Sequence, residues 1–224
     1  MDTAPPLSPT PRSTIRRGAT RARTDRTELY AVLDAGLVGH LGVMLDGSPV
    51  VLPTGYGRRG DTLYLHGSTG AATLRAAAAG APVCLTVTHV DGVVYARSAF
   101  HHSLNYRCAV VHGMARPVTD PEEHLLGLEA LTEHLAPGSW AATRRPDRKE
   151  LAATSLLALD LSEASVKVRT GPPGDDERDL PGAGEPDPVW AGVLPLRTAV
   201  GEPEPCPLLP SGTPVPSRVR DRVI

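Results

Sequence analysis

Hydrophobic positions change their period several times along the chain, and each change predicts an element. Residues 25–28 read D-R-T-E, an acceptor followed three residues later by glutamate, the capping-box arrangement of a helix start. Leu29, Val32 and Leu33 follow at the i, i+3, i+4 spacing of one helix face, and Gly36 is placed to end the helix. From Leu37 the pattern shortens to β-prone runs, LVGHLGVML, PVVLPTGY and TLYLH, divided by Asp46-Gly47 and by the RRGD stretch. Asp-Gly between apolar runs predicts a two-residue hairpin, because a type I′ turn needs positive φ at both central residues. The same dipeptide at Asp91-Gly92, between PVCLTVTHV and VVYARSA, predicts a second hairpin. A further strand is expected from about Asn105 to Ala115.

Two longer helices interrupt these strands. One is expected from Thr69 to Gly80, with Pro82 beyond it. The other opens with Asp120-Pro121-Glu122-Glu123, an acceptor at the N-cap, proline at N1 and glutamate at N3. It runs to about Leu135, with Leu128, Leu131 and Leu135 on one face. A short helix over Asp147–Ala153 and a long strand-like run, SLLALDLSEASVKV, come next. Beyond Thr170 proline and glycine crowd the sequence, so residues 171–224 are expected as an irregular tail anchored through Trp190. Residues 1–24, rich in Arg, Ser, Thr and Pro and without an apolar h-region, are expected as a disordered arm rather than a secretory signal, an organellar transit peptide being the alternative. Residues 25–170 form the folded unit between them. Antiparallel strands in series, with few helical connections, predict a mainly β fold closed into a barrel rather than a βαβ sheet; closure would also remove exposed edges.

Charge and composition narrow the function classes. The 224 residues carry 23 Lys and Arg against 25 Asp and Glu, which gives no electrostatic case for nucleic acid or an anionic membrane as main partner. Aromatics are only 4%, so the core must be built from Val, Leu and Ala. No apolar run approaches the roughly 20 residues of a membrane span. Cys84, Cys108 and Cys206 are odd in number, widely spaced and without a CxxC pair, which argues against a disulfide framework or a zinc site and for thiols in a reducing cytoplasm.

Candidate chemistry concentrates in LYLHGSTGAATLRA, residues 63–76. A helix opening there would turn backbone N–H groups outward beside the Ser68 and Thr69 hydroxyls, an arrangement that seats an anion or simply caps a helix. His66 ends the strand before it, either as a structural side chain or as a ligand contact. His101 and His102 are adjacent on an extended segment, so they point to opposite sides, and no metal site is predicted from them. Arg97 and Arg107 lie on predicted strands and suit either the surface or an anionic ligand.

Read in order, HLGVMLDGSPVVLPTGYGRRGDTLYLHGSTGAATLRAAAAGAPVCLTV, DGVVYARSAFHHSLNYRCAVVHGMARPV, SVKVRTGPPGDD and VWAGVLPL resemble the FMN-binding split-barrel superfamily that includes pyridoxamine 5′-phosphate oxidase. The nearer likeness is to its flavin-nucleotide-binding, nitroimidazole-resistance-type branch, over about Asp25 to Leu196. The resemblance implies a six-stranded antiparallel split β-barrel with peripheral helices. It further implies a homodimer with FMN in grooves shared by the subunits, and FMN-dependent oxidoreduction of a small molecule, nitroreductase-like or pyridoxamine-phosphate-oxidase-like. Carried onto this sequence, His66, Gly67, Ser68 and Thr69 fall where relatives approach the flavin phosphate and ribityl chain. Pro53 and Thr54 line the ring, and Arg97, Ser98, Asn105, Tyr106 and Arg107 flank the site. Trp190 matches a tryptophan that reaches the partner subunit's flavin. The chain departs from the pattern at Ala71, Ala72 and Thr73, where relatives often place a basic residue or histidine, and at Cys108, where they often place serine; Arg75 could compensate. Relatives in the superfamily also bind haem or a deazaflavin, and in the haem case His66, His101 or His112 would serve as axial ligand. A flavin-binding protein without turnover is the remaining alternative.

Overall fold

The computed structural model describes residues 6, 7, 10–180 and 189–223. It is mainly β, with two antiparallel sheets and peripheral helices. The elements are β1 (Ala22–Arg23), α1 (Arg26–Ala35), β2 (Gly39–Leu45), β3 (Ser48–Thr54), β4 (Tyr56–Arg59), β5 (Thr62–Ser68) and α2 (Ala72–Ala78), followed by β6 (Pro82–Tyr95), β7 (Ser103–Met114), β8 (Arg116–Pro117) and α3 (Pro121–Leu135). Then come α4 (Ser139–Ala142), α5 (Arg148–Ala153), β9 (Thr154–Asp160), β10 (Ala164–Arg169), β11 (Gly192–Pro195) and α6 (Ser217–Arg220).

The first sheet runs β1-β10-β7-β6-β2-β3, with β11 added to β6, and the second runs β4-β5-β9-β8. The sheets do not close into one barrel, which corrects that expectation. The chain leaves the first sheet at Gly55, between β3 and β4, and β3 is left as an exposed edge. Leu41, Val43, Val83, Leu85, Val87, Ala109 and Val111 from the first sheet meet Leu63, Leu65, Leu157 and Leu159 from the second in one core. Leu29, Val32 and Leu33 of α1 join it. Strand periodicity accounts for this: alternate residues of β2 face inward while His40 and Met44 face out.

The two Asp-Gly dipeptides have different fates. Asp46 and Gly47 both adopt positive φ, 50° and 77°, and join β2 to β3 as a two-residue hairpin. Asp91 and Gly92 do not, and β6 runs straight through them. A bulge between Val90 and Gly92 shifts the register and switches the inward set from Val83, Leu85 and Val87 to Gly92 and Val94. The expected second hairpin is therefore absent, because Asp91 lies in a strand paired to β7 and its carboxylate is held by Arg107. The run SLLALDLSEASVKV is likewise two strands, β9 and β10, separated by a turn in which Ser162 N donates to Asp160 Oδ1.

Both terminal segments are attached. Residues 10–24, expected as a disordered arm, lie against the first sheet. β1 pairs with β10, Leu7 enters the core, and Glu163 accepts hydrogen bonds from Thr10 Oγ1 (2.5 Å) and Arg12 Nη2 (2.5 Å). One buried leucine and a pair of charge-assisted bonds supply what composition alone could not show. In the tail, β11 pairs with β6, while Trp190, expected as the anchor, is 66% exposed, with its ring edge-on to Tyr95 and lying over Gly192. No helix of the described residues is long and apolar enough to cross a membrane.

Candidate functional site

His66 lies on β5 opposite Leu156 of β9. Alternation sends Leu63 and Leu65 into the core and places His66 on the opposite face with Tyr64, towards α3. There it borders a cavity of about 390 Å³ walled by Leu128 and Thr132 of α3, Trp140 of α4 and Thr143 just after it, and Arg144, Pro146 and Glu150 before and within α5. The wall is held firmly. Glu133 accepts from Gly138 N and Trp140 N, Arg145 stacks over the Trp140 ring at 4.4 Å, and Arg144 grips Glu150 through two nitrogens at 2.8 and 2.6 Å. Those bonds from Arg144, with one from Asp147 N, hold the Glu150 carboxyl down at about 2. His66 makes no hydrogen bond among the described residues. The surrounding protein lowers its pKa by desolvation, so the ring is neutral at pH 7 and offers a free lone pair.

The neighbouring turn is built differently from the expectation. α2 begins at Ala72 with Ala71 as its uncapped N-cap, three residues later than predicted. Ser68 belongs to β5 and its Oγ accepts from Gly70 N, while Thr69 N donates to Ala153 O. The helix therefore does not open on the Ser68 and Thr69 hydroxyls. Gly67 has a packing reason: a Cβ there would lie 2.6 Å from Leu74 Cδ1 of α2. Arg75 sits in the last turn of α2, exposed and without an ion pair among the described residues. Pro53 and Thr54 end β3, one residue before the chain turns into β4, which pairs with β5, so they approach the His66 end of β5.

Of the other predicted residues, Asn105, Tyr106 and Arg107 lie on β7 of the first sheet, whereas Arg97, expected on a strand, lies with Ser98 in the bend after β6. Arg107 of β7 donates to both oxygens of Asp91, with Nε at 3.0 Å and Nη2 at 2.9 Å. This pair borders a second hollow, about 660 Å³, with Thr88, His89 and the tail residues Leu196, Arg197 and Thr198. Arg97 is tied to Asp175, through its backbone N at 3.0 Å and Nη1 at 2.6 Å. Ser98 is next to it with an unpartnered, buried Oγ. Asn105 is buried; its Nδ2 donates to Gly171 O and its Oδ1 accepts from Arg169 Nη1. Tyr106 pairs between Val90 and Arg169. The structure thus brings Pro53, Thr54 and His66–Thr69 to one end of the fold and Arg107 to a separate hollow. It ties Arg97 and Asn105 to the segment after β10.

Sequence reasoning missed Trp140, Arg144 and Glu150 as neighbours of His66. A short helix over Asp147–Ala153 was expected, but its capping box at Asp147 and Glu150 and the pairing of Glu150 with Arg144 were not read. Arg169 is buried, and desolvation lowers its pKa.

The antiparallel split β-fold thus carries a cavity bordered by His66 at one sheet and a hollow bordered by Arg107 and Arg197 at the other. The chain belongs to the pyridoxamine 5′-phosphate oxidase family, whose model matches residues 25–168. It is similar over 96% of its length, at 38% identity and TM-score 0.87, to the flavocytochrome Anf3 from Azotobacter vinelandii, 98% of which is covered. The FAD and heme binding protein from Mycobacterium smegmatis is 42% identical, with 90% of this chain and 96% of that one covered and a TM-score of 0.84. A candidate 5-nitroimidazole antibiotic resistance protein from Bacteroides thetaiotaomicron shares the fold at 18% identity and TM-score 0.57, over 66% of this chain and 86% of that one. No curated protein sequence matches the chain.

Proposed function

We propose that this protein binds a flavin together with a haem and acts as an oxidoreductase on a small molecule. One observation carries the reading: nearly the whole chain resembles two solved proteins, one described as a flavocytochrome and one as an FAD and haem binder. In place of the FMN expected from the resemblance, the same observation favours the adenine dinucleotide. It also moves haem from an alternative to a second resident group, while a deazaflavin has no support of comparable identity.

The residues fit one face of a haem pocket. His66 offers an imidazole without a hydrogen-bond partner among the described residues, Trp140, Leu128 and Pro146 an apolar wall, and the Arg144–Glu150 pair a polar rim. For the flavin, Arg197 and Arg107 border the second hollow, and Arg197 has no ion pair among the described residues. Bound together, a flavin handles hydride or electron pairs and a haem handles single electrons. His66 would ligate and orient, and Trp140 and Leu128 would exclude water. A homodimer is part of the proposal, with the exposed edge strand β3, where Val51 and Leu52 face solvent, as the surface for the second copy. Three free thiols favour a cytoplasmic location.

The test is an absorbance spectrum of protein purified without added cofactor and again after reconstitution with haemin and FAD. The expected wild type shows a Soret band and two flavin bands, and His66→Ala loses the Soret band while keeping the flavin bands. A wild type that takes up neither group overturns the reading; an unchanged Soret band in His66→Ala removes His66 as the axial ligand.

A further inference from the structure

Two short 3₁₀ turns that are far apart in sequence face one another at the end of β6. One is Ala99–His101, and the other is Glu177–Asp179 in the segment after β10. Residues three apart eclipse in a 3₁₀ turn, so Asp176, its N-cap, and Asp179 present carboxylates along one edge. His101 stands opposite, with Nε2 3.4 Å from Asp176 Oδ2, and one donor atom from each of the three residues lies within 4.8 Å of the others. His101 Nε2 and Asp179 Oδ2 are buried from solvent and have no hydrogen-bond partner among the described residues. Buried polar atoms without partners are rare, and two on residues of one cluster call for an explanation.

The donors are held in place by groups outside the cluster. Asp175, beside Asp176, receives two bonds from Arg97, and its side chain is only 2% exposed. His101 N donates to Ser98 O, and the Phe100 ring meets the His101 ring edge-on at 5.2 Å. Arg178 reaches Asp176 at 3.3 Å, but that guanidinium is 82% exposed and can leave. Metal bonds of about 2.1 Å at tetrahedral angles separate donor atoms by roughly 3.4 Å, the spacing between His101 Nε2 and Asp176 Oδ2. We propose that His101, Asp176 and Asp179 form a site for a divalent transition-metal ion of the zinc type, which fastens residues 171–180 to the end of β6. One imidazole and two carboxylates match the nitrogen and oxygen donors such an ion takes, and water would fill the remaining positions.

The competing account is a direct contact of His101 with Asp176 that needs no ion. Calorimetric titration of the full-length, chelator-treated protein with Zn²⁺ separates them. The expected wild type binds one equivalent, and His101→Ala and Asp179→Asn each weaken that affinity by about a hundredfold, as loss of a ligand requires. Asp176→Asn serves if either variant fails to fold. Bound Zn²⁺ should also slow tryptic cleavage at Arg178 in the wild type and not in the variants. Absence of Zn²⁺ binding to the wild type, or equal affinity in the folded variants, overturns the proposal.

Discussion

Replacing Gly57 by alanine asks how closely α3 sits on β4. A Cβ at this position would lie 2.4 Å from Ala130 C and Leu131 N and 2.5 Å from Ala130 O. Carbon contacts settle at about 3.5–4 Å, so α3 would have to withdraw by about 1 Å. The obstacle is helix backbone, which cannot rotate away as a side chain would. Behind it lies the small core of Tyr64, Val118, Leu131, Leu156 and Ala158, with Leu128 and Ala130 against it. A gap of that size forfeits between a quarter and a half of each facing pair's attraction, and overpacking of this kind costs about 1–3 kcal/mol or somewhat more. We expect Gly57→Ala at the upper end, about 3 kcal/mol. Gly55, two residues earlier, has no atom within 4 Å of its would-be Cβ and is not in the left-handed region. Gly55→Ala should therefore be neutral or stabilising by up to about 1 kcal/mol, through the unfolded chain. Guanidinium unfolding followed by far-ultraviolet circular dichroism measures both. A Gly57→Ala variant within about 1 kcal/mol of wild type would refute the close seating of α3, and with it the fixed position of Leu128 and Thr132 on the His66 cavity.

Two further predictions follow from the framework. Tyr56 is almost wholly buried, and its hydroxyl donates towards Leu33 O (2.6 Å) and Gly36 O (2.9 Å) at the end of α1. Burial raises its pKa, so it remains a donor throughout the accessible range. Tyr56→Phe should cost about 1–2 kcal/mol in the same unfolding assay, and a loss under about 0.5 kcal/mol would show that those carbonyls are served otherwise, for instance by His134 on Gly36. Glu163 is held at about 2, well below an ordinary glutamate, first by its hydrogen bond from Arg12 and then by that from Thr10. A folded-state pKa below the unfolded one means the stabilisation is complete above about pH 4.5 and is lost as pH falls towards 2. Pepsin should accordingly cut residues 10–24 with increasing ease between about pH 4 and pH 2 while the sheets stay intact, and Glu163→Gln should expose the arm to trypsin at neutral pH. Constant protection across that acid range would remove Glu163 as the clasp.

Local chemistry was legible wherever the partner lay close in sequence. Asp25 and Asp120 cap α1 and α3 as their spacing predicts, because a cap needs only the next three residues. Asp46-Gly47 could be read for the same reason. Asp91-Gly92 could not: whether an Asp-Gly pair turns or continues depends on the strand opposite, and here β7 pairs along both halves of β6 while Arg107 holds the aspartate. The start of α2 was misplaced because Ser68 and Thr69 carry the composition of a cap, whereas pairing of β5 with β9 holds Ser68 in the strand. On the site side, His66 could be singled out from the strand-end pattern. Its cavity could not, since Trp140 and Arg144 arrive from more than seventy positions away and no periodicity links them to β5.

The same dependence on distant partners changes how the predicted cationic residues should be weighed. Three arginines were candidates for an anionic ligand, and only the structure separates them. Arg107 finds Asp91 16 positions away, and Arg97 finds Asp175 78 positions away, so neither brings a net charge to a phosphate without giving up a partner. Arg75 is unpaired among the described residues, and so is Arg197, which sequence reasoning passed over because it falls in the proline-rich tail. An anion gains most from a charge that is not already neutralised. Of these arginines Arg107 and Arg197 border the second hollow, Arg107 already met by Asp91 and Arg197 without an ion pair among the described residues. On the proposed reading the tail matters to that hollow, since losing the pairing of β11 with β6 would remove Arg197 while leaving the Asp91–Arg107 pair intact.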